Sequence, residues 1–173
     1  MIERIALVGM MGSGKSTAGR FLARRLDLPF IDLDRTIEEA EGASIAAIFA
    51  ERGEDEFRRM EKIHLRTVCR GRRGVLAAGG GAVIDAENRA RLAGWGVVVY
   101  LRASPETLAA RLSGEEARLR PLLLGGPLEE RLAAIVAARE PFYREARLVV
   151  ETDGLTPGEV AGRILDGLGL PPA

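Results

Sequence analysis

Near its amino terminus the chain reads IALVGMMGSGKST over residues 5–17. The first four residues of this stretch are apolar and predict a buried strand. The residues that follow fit the pattern G-x-x-x-x-G-K-[ST]. This pattern comes directly after the strand and directly before an amphipathic stretch with helical spacing, which is the setting that a phosphate-binding loop requires. The sequence therefore predicts a strand–loop–helix unit that holds the phosphates of a nucleotide.

The residue types of this loop suit that task for separate physical reasons. Glycines let the backbone wrap a phosphate chain with its N–H groups pointing inward, and the helix amino terminus adds the positive end of its dipole. Lys15 supplies a mobile positive charge for the terminal phosphates, and Ser16 offers a hydroxyl to Mg²⁺. We expect the nucleotide to contact residues throughout the second half of the loop: Gly12, Ser13, Gly14, Lys15, Ser16 and Thr17.

The remainder of the chain alternates short apolar runs with longer amphipathic stretches. Four further runs, at 29–32, 75–78, 97–101 and 148–150, are continuously apolar or nearly so, as expected for parallel strands covered on both faces. Helix starts are marked by capping residues, listed here: Ser44, Ser104 and Thr156. Over 173 residues this pattern predicts one α/β domain, 1–173, with a five-stranded parallel sheet flanked by helices. Trp95, between two glycines, is expected at the surface or in packing at an edge.

Composition excludes several classes of function. The chain has 25 Lys and Arg against 25 Asp and Glu, so its net charge is zero, and we expect neither nucleic acid nor a membrane surface as a partner. Its single cysteine and single histidine exclude a disulfide framework and clusters of Cys or His around a metal. No signal peptide and no apolar run of membrane-spanning length are present, so we expect a cytoplasmic protein.

Asp32-Leu33-Asp34 is expected to end the second strand. Positions i and i+2 of a strand lie on the same face, so both carboxylates should project towards the strand ends where the phosphates lie. One carboxylate would then hold Mg²⁺ through water, and the other would accept a proton from a hydroxyl. The alternative is that Asp34 serves only as the amino-terminal cap of the next helix.

The same stretch also fits the strand-D-x-D-x-T pattern of haloacid-dehalogenase phosphatases, in which the first aspartate is a nucleophile. Such an enzyme also needs a downstream lysine and an acidic pair after a later strand. Lys62 lies in a helical stretch, and the later strands end in Gly79, Arg102 and Glu151. This alternative therefore lacks its other parts and leaves the phosphate-binding loop unexplained.

Three further features suit an anionic acceptor. Arg58 could bind an anion through two parallel hydrogen bonds, although Glu54 and Glu61 at helical spacing could neutralise it instead. Gly79-Gly80-Gly81 at the end of the third strand would allow close approach of a ligand to the backbone, or would form a simple tight turn. Arg139 has no carboxylate three or four residues away, so a local ion pair is a weaker explanation for it.

The stretch from 113 to about 126 interrupts the alternation of strands and helices. It is charged and flanked by glycines, which is typical of a mobile lid, and the alternative is an ordinary surface loop. Arg120 precedes a proline, which favours extended backbone, so this arginine could reach the site when the lid closes.

Together these motifs resemble the shikimate kinases, a family of small kinases with a phosphate-binding loop. The resemblance extends along nearly the whole chain and rests on the order and spacing of six segments: 9–17, 32–34, 56–61, 79–83, 120–123 and 139–143. It implies phosphorylation of the 3-hydroxyl of shikimate by ATP, with one Mg²⁺ per site, by a monomeric enzyme of aromatic amino-acid biosynthesis.

The resemblance also implies roles for individual residues. Asp34 would contact the shikimate hydroxyls and act as the base, while Lys15 and Arg120 would stabilise the transferred phosphoryl group. Ser16 and Asp32 would hold Mg²⁺. The substrate contacts would come from Asp34 and five further residues: Arg58, Gly79, Gly80, Gly81 and Arg139. Arg111 and Arg120 would contact ATP, and the loop 152–157 would lie on the adenine side.

Two other classes share part of this pattern. A different small-molecule kinase, such as a gluconate kinase, would have the loop but no need for paired arginines on an acceptor carboxylate. A nucleotide-sensing module would need only the loop, and Asp32 and Asp34 would have no task. Guanine recognition is not indicated, because the only asparagine is followed by Arg89 rather than by the lysine of an Asn-Lys-x-Asp signature.

Overall fold

A computed structural model describes residues 2–71, 73–112, 123 and 126–171. Its five strands form one parallel sheet, as predicted: β1 (Arg4–Val8), β2 (Phe30–Asp32), β3 (Gly74–Ala77), β4 (Val97–Arg102) and β5 (Leu148–Glu151). The strand order is β2-β3-β1-β4-β5. Because β1 lies between β3 and β4, the loop that follows it opens at the point where the winding of the sheet reverses, which is where ligands bind in such folds.

Helices cover both faces of the sheet. In the described part of the chain they are α1 (Lys15–Arg25), α2 (Leu33–Glu41), α3 (Ile45–Val68), α4 (Ala86–Trp95), α5 (Pro105–Arg111), α6 (Leu128–Tyr143) and α7 (Pro157–Gly167). A short 3₁₀ turn spans Ala82–Ile84. Gly53, with φ +82°, interrupts the helical backbone of α3 and divides it into two segments.

The predicted caps explain where three of these helices begin. Ser44 accepts a hydrogen bond from the backbone N–H of Ala47 at the start of α3, and Ser104 does the same for α5. Thr156 and Glu159 form a reciprocal capping box at the start of α7. Each such cap satisfies backbone donors that the first helical turn leaves unpaired and contributes about 1 kcal/mol.

Two apolar layers hold the helices against the sheet. Along β1, Ile5 and Leu7 pack with α1 and α7, whereas Ala6 and Val8 pack with α2, α3 and α4. All four side chains are at most 1% exposed. Strand β1 is therefore buried on both faces, which accounts for its unbroken apolar sequence and holds the loop after it on a rigid support.

A third apolar cluster connects the phosphate-binding loop to α5 and α6. Met10 of the loop packs with Leu108, Leu112 and Leu132, all at most 2% exposed. Within the described part of the chain, no helix is both long and apolar enough to cross a bilayer.

Candidate active site

A cavity of about 740 Å³ opens at the carboxyl ends of the strands. The loop after β1, the start of α2, both segments of α3, the glycine turn after β3 and α6 all contribute to its walls. The structure brings most of the predicted site residues to this one cavity: Gly12, Gly14, Lys15, Ser16, Thr17, Asp32, Asp34, Arg58, Gly80, Gly81, Arg111 and Arg139.

Two predicted site residues are placed differently, and a third is not described by the structure. Ser13 is 1% exposed and does not line the cavity, and its backbone N–H donates to the carbonyl of Met10 at 3.1 Å. Gly79 lies behind the wall, against Glu61 and Asp34. Arg120 lies outside the described residues, as does the predicted lid apart from 123 and 126.

The phosphate-binding loop has the strained backbone that its glycines allow. Gly12 has φ +79°, and a β-carbon there would lie 2.9 Å from the side chain of Leu112, so both backbone angle and space require glycine. Lys15 begins α1, and its Nζ donates to the carbonyls of Gly9 at 2.8 Å and Met10 at 2.9 Å. The ammonium group of Lys15 therefore lies across the loop, at the part of the cavity wall where phosphates would bind.

A hydroxyl and a carboxylate meet beside this loop. Ser16 Oγ donates to Asp32 Oδ2 at 2.5 Å, which connects the first turn of α1 to the end of β2. Two hard oxygen donors beside a phosphate site fit Mg²⁺, which prefers one or two protein oxygens together with phosphate and water. Among the described residues there is no group of three or more Asp, Glu, His or Cys side chains that could hold a metal ion.

The expected strand arrangement of Asp32 and Asp34 is wrong. Strand β2 ends at Asp32, which is the amino-terminal cap of α2 and accepts from the backbone N–H of Arg35 at 3.4 Å. Asp34 lies in the first turn of α2, so it is not the cap either. A helical turn, rather than the two-residue period of a strand, brings both carboxylates to the cavity.

Arg58 is held by two carboxylates of its own helix. Its Nη1 donates to Glu61 Oε2 at 2.8 Å, and its Nη2 donates to Glu54 Oε1 at 3.2 Å. Burial acts to lower the pKa of Arg58, but the charge of Glu61 and these hydrogen bonds raise it above its ordinary value. The local ion pairs considered from the sequence therefore form, and they hold a permanently charged guanidinium at the cavity wall.

Glu61 itself was not among the predicted site residues. Its side chain is 1% exposed, and its Oε1 has no hydrogen-bond partner among the described residues. Burial raises the pKa of this carboxyl above its ordinary value, against the opposing effect of Arg58. Helical spacing from Arg58 is the sequence signal for the ion pair, but only the tertiary fold shows the burial.

Arg139 reaches the cavity from another element, α6, and contacts the same glycine turn as Arg58. It is 6% exposed, and its Nη1 donates to the carbonyl of Gly80 at 3.2 Å. Within the described part of the chain it pairs with no carboxylate, as the sequence spacing predicted. A β-carbon on Gly80 would lie 3.2 Å from the backbone nitrogen of Met11, so the glycine turn sits directly against the phosphate-binding loop.

An apolar wall completes the cavity and was not predicted. Phe49 and Phe57, in the two segments of α3, lie with ring centroids 4.7 Å apart and planes at 40°. Both rings belong to α3, and the spacing of apolar residues in its sequence predicts only that they are buried. Gly53 lies between the two phenylalanines and breaks the helix there, so the two rings come from helical segments with different directions.

Arg111, at the end of α5, connects the phosphate-binding loop to the loop after β5. Its Nη1 donates to Thr152 Oγ1 at 3.1 Å and to the carbonyl of Gly12 at 3.3 Å, and its Nη2 donates to the carbonyl of Thr152 at 2.9 Å. The two elements that were predicted to lie on the adenine side are therefore adjacent in the structure.

The parallel sheet has this strand order, and the phosphate-binding loop lies at its switch point. An acidic group and two arginines face the same cavity. Together these features define a small-molecule kinase with a P-loop. The family model described as shikimate kinase matches residues 11–168. The chain belongs to the shikimate kinase family.

Relatives and solved structures agree with this membership. A shikimate kinase of Symbiobacterium thermophilum is 46% identical over 165 residues, which is 95% of this chain and 95% of that protein. The solved shikimate kinase from Acinetobacter baumannii in complex with shikimate is 38% identical, with a TM-score of 0.93 over 97% of this chain and 93% of that one. A gluconokinase from Sinorhizobium meliloti, 22% identical with a TM-score of 0.63 over 96% of this chain and 91% of that one, shares the fold alone.

Proposed function

We propose that this chain transfers the γ-phosphoryl group of ATP to the 3-hydroxyl of shikimate, giving shikimate 3-phosphate and ADP for aromatic amino-acid biosynthesis. One observation carries the proposal beyond family membership: Asp34, Arg58 and Arg139 face the same cavity as the phosphate-binding loop. A hydroxylated ring that carries a carboxylate suits this set, because one group can accept a proton while two guanidinium groups bind the carboxylate.

On the acceptor side, each residue has a separate task. Arg58 of α3 and Arg139 of α6 bind the carboxylate beside the glycine turn. Gly80 and Gly81 keep this wall of the cavity free of side chains, and Gly79 supports the turn from behind the wall. Asp34 accepts the proton as the hydroxyl oxygen attacks the γ-phosphorus and the bond to the bridging oxygen breaks. Holding the two reactants in line provides much of the rate enhancement in phosphoryl transfer.

On the nucleotide side, the loop residues Gly12, Gly14 and Thr17 surround the phosphates, while Lys15 neutralises the charge that develops on them. Ser16 and Asp32 would hold Mg²⁺, which supplies electrostatic stabilisation of the phosphate oxygens when bound. Arg111 would lie beside the adenine. For Ser13 the buried position favours a role in the shape of the loop over direct contact with ATP.

Several further predictions from the sequence belong to this proposal. Arg120 would stabilise the transferred phosphoryl group from the lid at about 113–126, and lid closure would exclude water as a competing acceptor. The chain would act as a single domain and a monomer in the cytoplasm. Replacing Arg120 by Ala would then reduce kcat much more than the affinity for shikimate.

ADP release by the purified chain tests the reaction. Mg·ATP is supplied with shikimate, gluconate, a nucleoside monophosphate or no acceptor, and phosphorus NMR identifies the position of the new ester. We expect shikimate-dependent ADP release and a 3-phosphate ester, both abolished in Lys15→Met. ADP release that is the same with and without shikimate would contradict the proposal, as would a preference for another acceptor.

A further inference from the structure

The carbonyl of Gly80 accepts two hydrogen bonds from α6. Arg139 Nη1 donates to it at 3.2 Å, and the hydroxyl of Tyr143 donates to it at 2.5 Å. Arg139 and Tyr143 are four residues apart on the helix and therefore lie on the same face. A single backbone carbonyl thus accepts hydrogen bonds from both side chains and links one to the other.

Tyr143 stands behind the site rather than in it. The residue is fully buried at 0% exposure and does not line the cavity, whereas Arg139 does. The charge of Arg139 acts on the hydroxyl of Tyr143 at close range, yet burial raises the pKa of Tyr143 to about 12. The hydroxyl therefore stays protonated at neutral pH and remains a donor to Gly80.

The ring of Tyr143 is fixed by its neighbours. It stacks on Tyr100 of β4, with centroids 4.9 Å apart and planes at 19°. The Tyr100 hydroxyl donates to Glu140 Oε2 at 2.6 Å, and Glu140 Oε1 also accepts from Arg102 and Arg144. Helix α6 is thereby held against β4, and this fixes the position of the Tyr143 hydroxyl beside the glycine turn.

We propose that Tyr143 is a positioning residue: its hydroxyl fixes the carbonyl of Gly80, and this carbonyl fixes the guanidinium of Arg139 for binding the acceptor carboxylate. The inference rests on the proposed function, because it gives Arg139 that task. Without the hydroxyl the Gly80 carbonyl loses one of these two donors, so the acceptor of the Arg139 guanidinium is held less firmly in place. Tyr143 touches neither substrate nor nucleotide.

Tyr143→Phe removes only the hydroxyl and keeps the stacked ring. We expect the KM for shikimate to rise about five-fold, the scale of one lost hydrogen bond, with kcat and the KM for ATP changed by less than about two-fold. The matched control is Tyr100→Phe, which removes the hydroxyl of the stacked partner. Because Glu140 keeps Arg102 and Arg144 as partners, this control should leave the KM for shikimate within about two-fold of wild type.

A double-mutant cycle with Arg139→Ala separates positioning from general packing. If Tyr143 acts through Arg139, adding Tyr143→Phe to Arg139→Ala produces no further rise in the KM for shikimate. An undiminished effect in that background would overturn the proposal, and so would equal effects of Tyr143→Phe on the KM values for shikimate and ATP. An unchanged KM for shikimate in Tyr143→Phe would overturn it as well.

The same measurements distinguish failure of this inference from failure of the proposed function. Arg139→Ala should raise the KM for shikimate by about 10- to 100-fold, as expected for the loss of hydrogen bonds between charged groups. If Arg139→Ala does so while Tyr143→Phe has no effect, only the positioning role is wrong. If Arg139→Ala leaves the KM for shikimate unchanged, the assignment of the carboxylate to Arg139 is wrong, and with it the basis for the role of Tyr143.

Discussion

The guanidinium of Arg58 occupies the space in which a side chain at Gly81 would have to begin. A β-carbon on Gly81 would overlap Nη1, Nη2 and Cζ of that arginine. The backbone of Gly81, at φ −99° and ψ −4°, is open to any residue, so glycine is required here for space alone. The glycine turn and the arginine of α3 are therefore fitted to each other, and a methyl group would disturb that fit.

Gly81→Ala should displace Arg58 without unfolding the protein, because the end of a long side chain can move. We expect the KM for shikimate to rise about 10-fold, since Arg58 would leave both Glu61 and the acceptor carboxylate. The KM for ATP should change by less than about two-fold. Steady-state kinetics with each substrate varied in turn, together with a thermal melt, provide the measurement.

Gly94→Ala is the matched control for this substitution. Gly94 lies inside α4, and nothing lies within 4 Å of a β-carbon built on it. The control should leave both KM values unchanged and stabilise the protein by about 1 kcal/mol, because alanine favours helix over glycine. If Gly81→Ala behaved like Gly94→Ala in the kinetic assay, Arg58 would have no part in binding the acceptor.

The role of Asp32 in binding Mg²⁺ can be separated from its role as a helix cap. Asp32→Asn keeps the shape and remains a good cap for α2, but removes the charge beside Ser16. We expect the Mg²⁺ concentration for half-maximal activity to rise about 10-fold, while the melting temperature changes little. Titration of activity with Mg²⁺ at fixed ATP measures the effect.

Asp85→Asn provides the same chemical change at another cap. Asp85 begins α4, accepts from two backbone N–H groups and lies outside the cavity lining. The Asp85→Asn variant should need the same Mg²⁺ concentration for half-maximal activity as wild type. An equal shift in both variants would mean that the change at Asp32 acts through general stability rather than through the metal.

Cys69 is the single cysteine of the chain, and its thiol should react slowly with thiol reagents. Burial raises the pKa of its thiol to about 11, with Arg91 opposing the shift. At pH 8 only about 0.1% of the thiol is then ionised, and the thiolate is the reactive form. We expect a disulfide reagent such as DTNB to react about 100-fold more slowly with the folded chain than with the chain in denaturant. Comparable rates in the two states would show that the thiol is not shielded.

The strands and most of the helix starts could be predicted from the sequence because the signals are local. Unbroken apolar runs mark the buried parallel strands, and Ser44, Ser104 and Thr156 cap helices as expected. The glycine pattern at 9–17 specifies its own backbone geometry. These features depend on neighbours in the chain, so no knowledge of the tertiary structure is needed for them.

The errors concern residues whose environment is set by distant parts of the chain. Asp34 was assigned to a strand because nothing in Asp32-Leu33-Asp34 marks an intervening turn, yet α2 starts directly after β2. For Trp95 the sequence indicates the surface or edge packing; the residue is 3% exposed, which excludes the surface, and its indole N–H donates to the carbonyl of Gly71 at 3.0 Å. Trp95 is buried in the apolar cluster that includes residues of α3, and Glu61 is buried against Gly79 of the glycine turn.

Glu61 should give the stability of the fold a recognisable dependence on pH. Arg58, Arg139 and Asp34 face this carboxyl, and burial raises its pKa above the ordinary glutamate value of 4.5. A raised pKa in the folded state means that the stabilising contribution is complete below that ordinary value and is lost as pH rises through the folded pKa. Ionisation of Glu61 therefore costs stability, even though the carboxylate pairs with Arg58.

Comparison with Glu61→Gln isolates this contribution, because glutamine has the shape of the protonated acid and does not titrate. We expect the stability of Glu61→Gln relative to wild type, measured as the difference in the free energy of unfolding, to increase from pH 4 to pH 8. Urea denaturation at each pH measures the difference. Glu54→Gln removes the other, more exposed carboxylate that pairs with Arg58 and serves as the control. If both variants gave the same profile, loss of an ion pair would explain the result, and burial of Glu61 would not be its cause.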